Sequence, residues 1–333
     1  MTANSLAVMA RGIRKNYGDK RALDGFDLSV PQGRVCGLLG PNGAGKTTAV
    51  RILATLLKVD GGEARVAGYD VVRDAAQVRH RIGLVGQNHA VDEVLSGYQN
   101  LVLFGRLYHL PISAAKRRAT DLLDQFDLAD TGNKQVKAYS GGMRRRLDLA
   151  ASMILAPAVL FLDEPTTGLD PRGRNEVWRS IRELVDRGTT VLLTTQYLDE
   201  ADQLADQISV IAAGKVIAEG PPSELKSQIG GDRVDVVLHN GDDLTVAAHA
   251  LARLSAAEPH VDVDNRLISV KVGNRANALT NIVRVLDELG APIDDLALRR
   301  PTLDDVFMQI TGQFAHTERH ERDEQTAGEE VEP

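Results

Sequence analysis

The segment Gly40-Pro41-Asn42-Gly43-Ala44-Gly45-Lys46-Thr47 has the form G-x-x-x-x-G-K-T. Chance would produce that pattern in about one chain in a hundred of this length. It works only where a buried strand runs into a glycine-rich turn and the turn opens a helix. The flanking residues meet that demand. Arg34-Val35-Cys36-Gly37-Leu38-Leu39 reads as a buried strand, and Thr48 to Leu57 as a helix with Ile52, Leu53, Leu56 and Leu57 at helical spacing. Gly43 and Gly45 let backbone amides turn toward an anion with no Cβ in the way. The helix that follows adds the positive end of its dipole. Lys46 reaches terminal phosphates, and the Thr47 hydroxyl ligates Mg²⁺. The substrate class read from this motif is a nucleoside triphosphate with Mg²⁺.

Charge and hydropathy narrow the remaining classes. The chain has 333 residues, 43% hydrophobic and 26% charged, enough for two domains and a sizeable core. Of the net charge of −7, the segment from Gln313 contributes −5 through seven acids and two arginines, so residues 1–312 carry only −2. A nearly neutral body argues against nucleic acid as a partner. The longest uncharged apolar stretch, Leu149 to Leu162, has 14 residues and contains Pro157. A membrane span needs about 20. No basic region precedes an apolar core at the N-terminus, so no signal peptide is expected, and Leu6-Ala7-Val8-Met9 reads as the first strand. The one cysteine, Cys36, reads as a small core residue; no intrachain disulfide is possible, which suits the cytoplasm.

Residues 1–226 alternate short apolar runs with helical stretches, as an α/β domain does. Within them, Asp92 to Met153 carries no strand-like run and reads as a helical insert. Gly220-Pro221-Pro222 and Gly230-Gly231 punctuate the end of this domain. A second pattern fills residues 231–312. A strand at Val234–Leu238 and a helix from Leu244 to Leu254 come first, then strands at Val261–Val263 and Leu267–Val272. A helix from Ala278 to Leu289 and a strand from Ile293 to Leu298 complete it. That β-α-β-β-α-β order predicts a small α+β, ferredoxin-like domain, followed by a short helix Leu303–Ile310. Residues 313–333 are acidic and apolar-poor and read as a disordered tail.

Two further blocks carry chemistry. Val159-Leu160-Phe161-Leu162-Asp163-Glu164-Pro165 is an apolar run ending in two carboxylates, which predicts a buried strand whose end opens at the phosphate site. Asp163 is suited to hold Mg²⁺, directly or through water. Glu164 is suited to orient and deprotonate an attacking water, worth about 10²–10⁴ in rate. Ser140-Gly141-Gly142-Met143-Arg144-Arg145-Arg146 starts a helix with Ser140 as N-cap. Two glycines in a first turn cost about 1 kcal/mol each against alanine. Three arginines there oppose the dipole at about 0.3–1 kcal/mol each. A helix whose N-terminus receives an anion tolerates both. The glycines are therefore expected to admit an anion and the arginines to add positive field, while Arg144 and Asp148 are spaced to pair.

In this order the blocks resemble the ATP-binding-cassette (ABC) ATPases over about residues 5–225. The resemblance implies a P-loop cassette with a helical subdomain, binding ATP and Mg²⁺ and hydrolysing ATP. It implies that Tyr17 stacks on adenine and that Gly40, Pro41, Asn42, Gly43, Ala44, Gly45, Lys46, Thr47 and Thr48 hold the nucleotide. Gln87 matches the glutamine that meets Mg²⁺, the water and a membrane partner, so Thr47, Gln87 and Asp163 form the implied metal set. Ser140, Gly141 and Gly142 match the signature that caps the γ-phosphate of the opposite protomer. Gly168-Leu169-Asp170 matches the loop that links two sites across a homodimer. Glu164 matches the catalytic base. Gln196 occupies the usual catalytic histidine position; its amide can hydrogen-bond a γ-phosphate but cannot titrate near neutral pH. Met143 stands where many members have glutamine, as in relatives that pair with separate membrane subunits.

Four strings narrow the resemblance: Leu95-Ser96-Gly97-Tyr98-Gln99-Asn100-Leu101, Tyr139 to Asp148, Leu193 to Leu198, and Arg299 to Phe307. They are similar to the daunorubicin/doxorubicin-resistance exporter ATP-binding subunits, which share the glutamine-for-histidine replacement. The last string also reads as a Pro-started helix packing Leu303, Val306 and Phe307 onto the small domain. The resemblance implies a translocase ATPase, peripheral at the cytoplasmic face of the cell membrane. It would act as a homodimer of cassettes with a separate integral permease and drive antibiotic efflux. Lipid or polysaccharide export and a non-transport regulatory role are the alternatives.

Overall fold

A computed structural model describes residues 6–229, 232–255, 258–272, 275–299, 302–308 and 310. The chain divides into two compact units, Met1–Pro222 and Ser223–Pro333. The first unit opens with β1 (Leu6–Tyr17), β2 (Lys20–Pro31), β3 (Val35–Leu39), α1 (Lys46–Leu53), β4 (Gly61–Val66) and β5 (Tyr69–Asp70). It continues with α2 (Ala75–Arg81), β6 (Ile82–Val85), α3 (Gly97–Leu107), α4 (Ile112–Gln125) and α5 (Gly141–Ser152). It ends with β7 (Val159–Asp163), α6 (Pro171–Asp186), β8 (Thr190–Thr195), α7 (Leu198–Leu204), β9 (Gln207–Ala212) and β10 (Lys215–Gly220).

One sheet is antiparallel in the order β2-β1-β4-β5; the other runs β10-β9-β3-β8-β7-β6 and is parallel except for the β9–β10 pair. Parallel strands covered on both faces need apolar residues at every position rather than at alternate ones. β3, β7 and β8 are accordingly buried at each residue. Each large apolar side chain of β7 removed from water contributes about 1.5–3 kcal/mol. That rigid centre holds the carboxyl ends of β3, β8 and β7 side by side. The expected helical insert is present as α3, α4 and α5. α3 starts on a capping box between Ser96 and Gln99, and the fully buried Asn100 amide bonds the backbone at Asp92 and Ser96.

Two local expectations change. α1 stops at Leu53, not Leu57, because Thr55 takes a left-handed φ of 63°. Leu56 is consequently 62% exposed instead of lying on the buried face. Cys36 is the core residue expected, its thiol pushed up to about 12 by burial.

The second unit contains α8 (Pro222–Ile229), β11 (Arg233–Leu238), α9 (Leu244–Leu251), β12 (His260–Asp262), β13 (Leu267–Lys271), α10 (Arg275–Glu288) and β14 (Ile293–Arg299). Its sheet order, β12-β13-β11-β14, is antiparallel throughout, the ferredoxin-like arrangement expected from the β-α-β-β-α-β pattern. Val234, Val236, Leu238, Ile268 and Val270 pack with Leu244, Ile282 and Leu286. Residues 303–308 are helical, with Leu303 and Val306 buried. Gly230-Gly231 and the acidic segment 313–333 lie outside the described residues. Among the described residues no helix is long and apolar enough to cross a membrane.

Candidate active site

The phosphate loop leaves the carboxyl end of β3. Gly45 is the N-cap of α1 at φ 112°, with no side-chain cap hydrogen bond. A Cβ there would come 2.6 Å from the Ala22 carbonyl oxygen, and one at Gly40 2.3 Å from that of Ile211. These glycines therefore admit the protein's own backbone as well as leaving amides free. Lys46 is buried, and its ammonium donates to the carbonyls of Gly40 at 2.7 Å and Pro41 at 3.1 Å. Burial lowers its pKa from the ordinary lysine value, opposed by the carboxylates of Glu164 and Asp163. A terminal phosphate would take over donors that now hold the loop closed.

Asp163 ends β7, beside the loop. Its Oδ1 accepts from the Thr47 hydroxyl at 3.3 Å and from Thr194 on β8 at 2.6 Å. A hydroxyl and a carboxylate at hydrogen-bond distance, with the Gln87 amide on the same cavity, are hard oxygen donors of the kind Mg²⁺ prefers. Glu164 sits at φ 50°, a left-handed conformation uncommon outside glycine. Its amide donates to the Thr194 carbonyl at 3.0 Å and hydroxyl at 3.2 Å, and its Oε2 accepts from Thr167 at 3.3 Å.

A cavity of about 440 Å³ lies between the loop and Glu164; Asp163 is buried behind Thr47 and is not part of its lining. It is lined by Tyr17, Lys20 and Ala22, by Asn42, Gly43, Gly45, Lys46, Thr47 and Thr48 of the loop and α1, and by Gln87 and Glu164. Tyr17 is half exposed at the cavity, with the Lys15 ammonium 6.0 Å from its ring centroid. Gly40 and Ala44 are buried, and Pro41 is exposed outside the lining. Gln196 is exposed just beyond β8 and does not line the cavity. Ser140, Gly141, Gly142 and Asp170 do not line it either and form a second cluster where α5 meets α6. There Ser140 accepts from the Met143 amide at 3.2 Å and Asp170 from the Gly173 amide at 3.0 Å.

In the signature helix the structure changes one expected pairing, that of Arg144, and adds packing contacts the spacing did not show. A Cβ on Gly142 would lie 3.1 Å from Cα of Gly173, and one on Gly141 3.1 Å from Cδ2 of Leu169. The Gly142 position thus serves close packing of α5 on α6. The arginines are each engaged within the chain, two of them in ion pairs. Arg144 donates to the carbonyls of Val136 and Lys137 and pairs with Glu93 at 3.3 Å, not with Asp148. Arg146 donates to Phe126 and Asp127 carbonyls and pairs with Glu176 at 3.1 Å. Among the described residues Arg145 donates only to carbonyls, at Gly86, Asp163, Glu164 and Pro165. Asp148 instead accepts from the Ala90 amide and meets His89 Nδ1.

Sequence reasoning missed three supporting residues. Thr194 bridges Asp163 and Glu164, and its signal was a polar residue at the end of a buried strand. Arg145 was legible as a cation but not as a link between segments, because its acceptors lie 18 to 59 positions away. Glu200 is fully buried and accepts from Thr166 at 2.8 Å and Trp178 at 3.1 Å. Burial raises its pKa above the ordinary carboxylate range, with the hydroxyl and indole donors opposing.

A phosphate loop and a carboxylate pair at the carboxyl ends of two parallel strands, β3 and β7, separated in the sheet by β8, with a helical insert between them in sequence, define a nucleoside-triphosphatase cassette. The model of the family described as ABC transporter matches residues 23–167, and that described as ATP-binding protein DrrA1-3-like, C-terminal domain, matches residues 220–311. The daunorubicin resistance ATP-binding protein DrrA3 of Streptomyces coeruleorubidus is 62% identical over 92% of this chain and 96% of its own length. The daunorubicin/doxorubicin resistance ATP-binding protein DrrA of Streptomyces peucetius is 48% identical over 93% of this chain and 94% of its own. Among solved structures, cbiO1 from Clostridium perfringens, described as part of the ABC transporter complex cbiONQ, aligns with TM-score 0.63 and 27% identity. It covers 67% of this chain and 91% of that one. The chain belongs to the ATP-binding-cassette transporter family, as an ATP-binding, ATP-hydrolysing subunit.

Proposed function

We propose that this chain powers export of amphipathic drugs or antibiotics through a separate integral membrane permease, working as a homodimer at the cytoplasmic face of the membrane. The observation that carries the catalytic part is the single cavity shared by Lys46, Thr47, Gln87 and Glu164. The drug cargo is supported by the 62% and 48% identical relatives, whose names specify daunorubicin resistance. Nucleotide work belongs to residues 1–226, and residues 231–312 serve contacts in the assembly.

Thr47, Asp163 and Gln87 would hold Mg²⁺, which when bound neutralises charge on the terminal phosphates. Lys46 exchanges its two loop carbonyls for phosphate oxygens. Tyr17 stacks on the base. Glu164 orients a water and takes its proton. Gln196 hydrogen-bonds the γ-phosphate as a neutral amide. Ser140, Gly141 and Gly142 of one protomer complete the site of the other, and Asp170 links the two; their separation from the cavity favours this division of labour. ATP closes the cassettes because it binds the closed pair better than the open one.

The test is efflux in cells. The chain, co-expressed with a separate integral permease, should lower cellular accumulation of a fluorescent amphipathic drug. Lys46→Ala should abolish that effect and tight nucleotide binding while leaving thermal melting nearly unchanged. Parental nucleotide affinity in Lys46→Ala would refute the binding assignment. Unchanged drug accumulation beside an active ATPase would refute the cargo.

A further inference from the structure

Arg145 is 3% exposed, and among the described residues it makes no ion pair. Its Nε donates to the Pro165 carbonyl at 2.7 Å and its Nη1 to Gly86 at 2.7 Å. Its Nη2 donates to Asp163 at 3.3 Å and Glu164 at 3.2 Å. A buried cation satisfied by carbonyls alone is a costly way to fill space, since apolar residues of similar volume often stabilise a core better. The planar fork of a guanidinium, with five N–H donors, can serve four carbonyls at once; an ammonium cannot reach such a spread.

Those carbonyls belong to two segments that line the cavity. Gly86 immediately precedes Gln87. Asp163, Glu164 and Pro165 form the turn that carries the candidate base. Glu164 holds a left-handed φ of 50°, which persists only where the surroundings over-determine it. On its amide side Thr194 fixes that conformation through two hydrogen bonds. On its carbonyl side Arg145 donates at 3.2 Å, beside the Thr167 amide of the same turn at 3.4 Å; Arg145 is the one of the two that reaches in from another element. The guanidinium is carried by α5, the helix capped by Ser140.

We propose that Arg145 is a positioning residue for hydrolysis. It clamps the Gly86 carbonyl to the three consecutive carbonyls of Asp163, Glu164 and Pro165, aims the Glu164 carboxylate into the cavity, and makes it move together with Gln87. This rests on the reading of Glu164 as the base. The surrounding carboxylates of Asp148, Glu200 and Asp163 favour the cation that burial disfavours.

The experiment uses the full chain with Arg145→Lys and Arg145→Met, alone and in a Glu164→Gln background. ATP turnover, KM, nucleotide affinity and amide hydrogen exchange are measured on each. Turnover should fall about tenfold or more in both variants, with KM and affinity held within about threefold. Exchange in segments 86–89 and 163–167 should accelerate together. In the Glu164→Gln background, Arg145→Lys should cause no further loss of residual turnover. If Arg145→Met does not fold, Arg145→Lys decides. Parental turnover with unchanged exchange in Arg145→Lys would overturn the proposal, as would a further loss of about tenfold in the Glu164→Gln background. Parental turnover in Glu164→Gln alone would remove the base assignment, and the exchange data would still decide whether Arg145 joins the two segments.

Discussion

α1 begins behind Gly45, at φ 112° and with no side-chain cap, whereas α5 begins behind Ser140, whose hydroxyl caps the Met143 amide. Both starts are rich in glycine and neither carries an acid in its first turn. At α1 the amides face a 440 Å³ cavity, and the glycines are required by backbone conformation and by the close approach of β2 and β9. At α5 the cap satisfies the helix locally, Gly142 packs on Gly173, and all three arginines are engaged by other segments. One start opens onto a cavity lined by its own glycines, lysine and threonines. The other is a finished structural element with its Ser140 end left exposed, as a surface for a second protomer would be. Similar composition at two helix termini therefore does not mean similar chemistry; the difference lies in what already occupies the donors.

The strongest way to break this contrast is Gly45→Ala. A Cβ at φ 112° and 2.6 Å from the Ala22 carbonyl combines backbone strain with overpacking. A loss of about 2–5 kcal/mol is expected, together with loss of nucleotide binding. Denaturant titration and nucleotide titration check it, and a parental midpoint would mean the loop relaxes freely.

A smaller effect is expected outside the cavity at Gln196. If it holds the γ-phosphate by a neutral hydrogen bond, Gln196→Ala should lower turnover about tenfold, whereas Gln196→His should retain it. Equal steady-state rates for the alanine variant and the parent would exclude Gln196 from hydrolysis.

Gly141→Ala sharpens the comparison most cleanly. The new Cβ would meet only the flexible end of Leu169, at 3.1 Å, while alanine gains about 1 kcal/mol of helix propensity. Thermal stability should hold or rise slightly, and on the proposal that this surface meets the partner's nucleotide, turnover should fall. A variant with both properties parental would leave Gly141 without a role in the second site.

The smallest effect concerns pH. Glu200 holds its proton more tightly folded than unfolded, because burial raises its pKa. Its contribution to stability is full below the ordinary carboxylate value of about 4.3 and is lost as pH rises through the folded value. Glu200→Gln has no proton to lose and keeps an acceptor for Thr166 and Trp178. Its melting temperature should fall less than the parent's as pH rises above that value. Parallel melting curves across the range would contradict the assignment.

What could be read from sequence follows from how local each signal is. The buried run of β7, the phosphate loop and the β-α-β-β-α-β order of the second unit are patterns over neighbouring residues, and each reappears in the structure. The early end of α1 was hidden, because Thr55 in the left-handed region leaves no mark in an otherwise helical spacing. The arginines of α5 were legible as charge but not as hydrogen-bond donors. Their acceptors are carbonyls 7 to 59 positions distant, and a carbonyl carries no residue identity. Glu200 drew no expectation from sequence, because the partners that bury it, Thr166 and Trp178, lie 34 and 22 positions away.

The central claim is that the left-handed Glu164 at the end of β7 is the base that acts on ATP held by the loop after β3. Glu164→Gln preserves side-chain size and the bond from Thr167 while removing the proton acceptor. Nucleotide affinity and steady-state ATP hydrolysis measured on the same preparation test it directly. The predicted result is parental affinity with turnover reduced about 10²-fold or more; hydrolysis at the parental rate would contradict it.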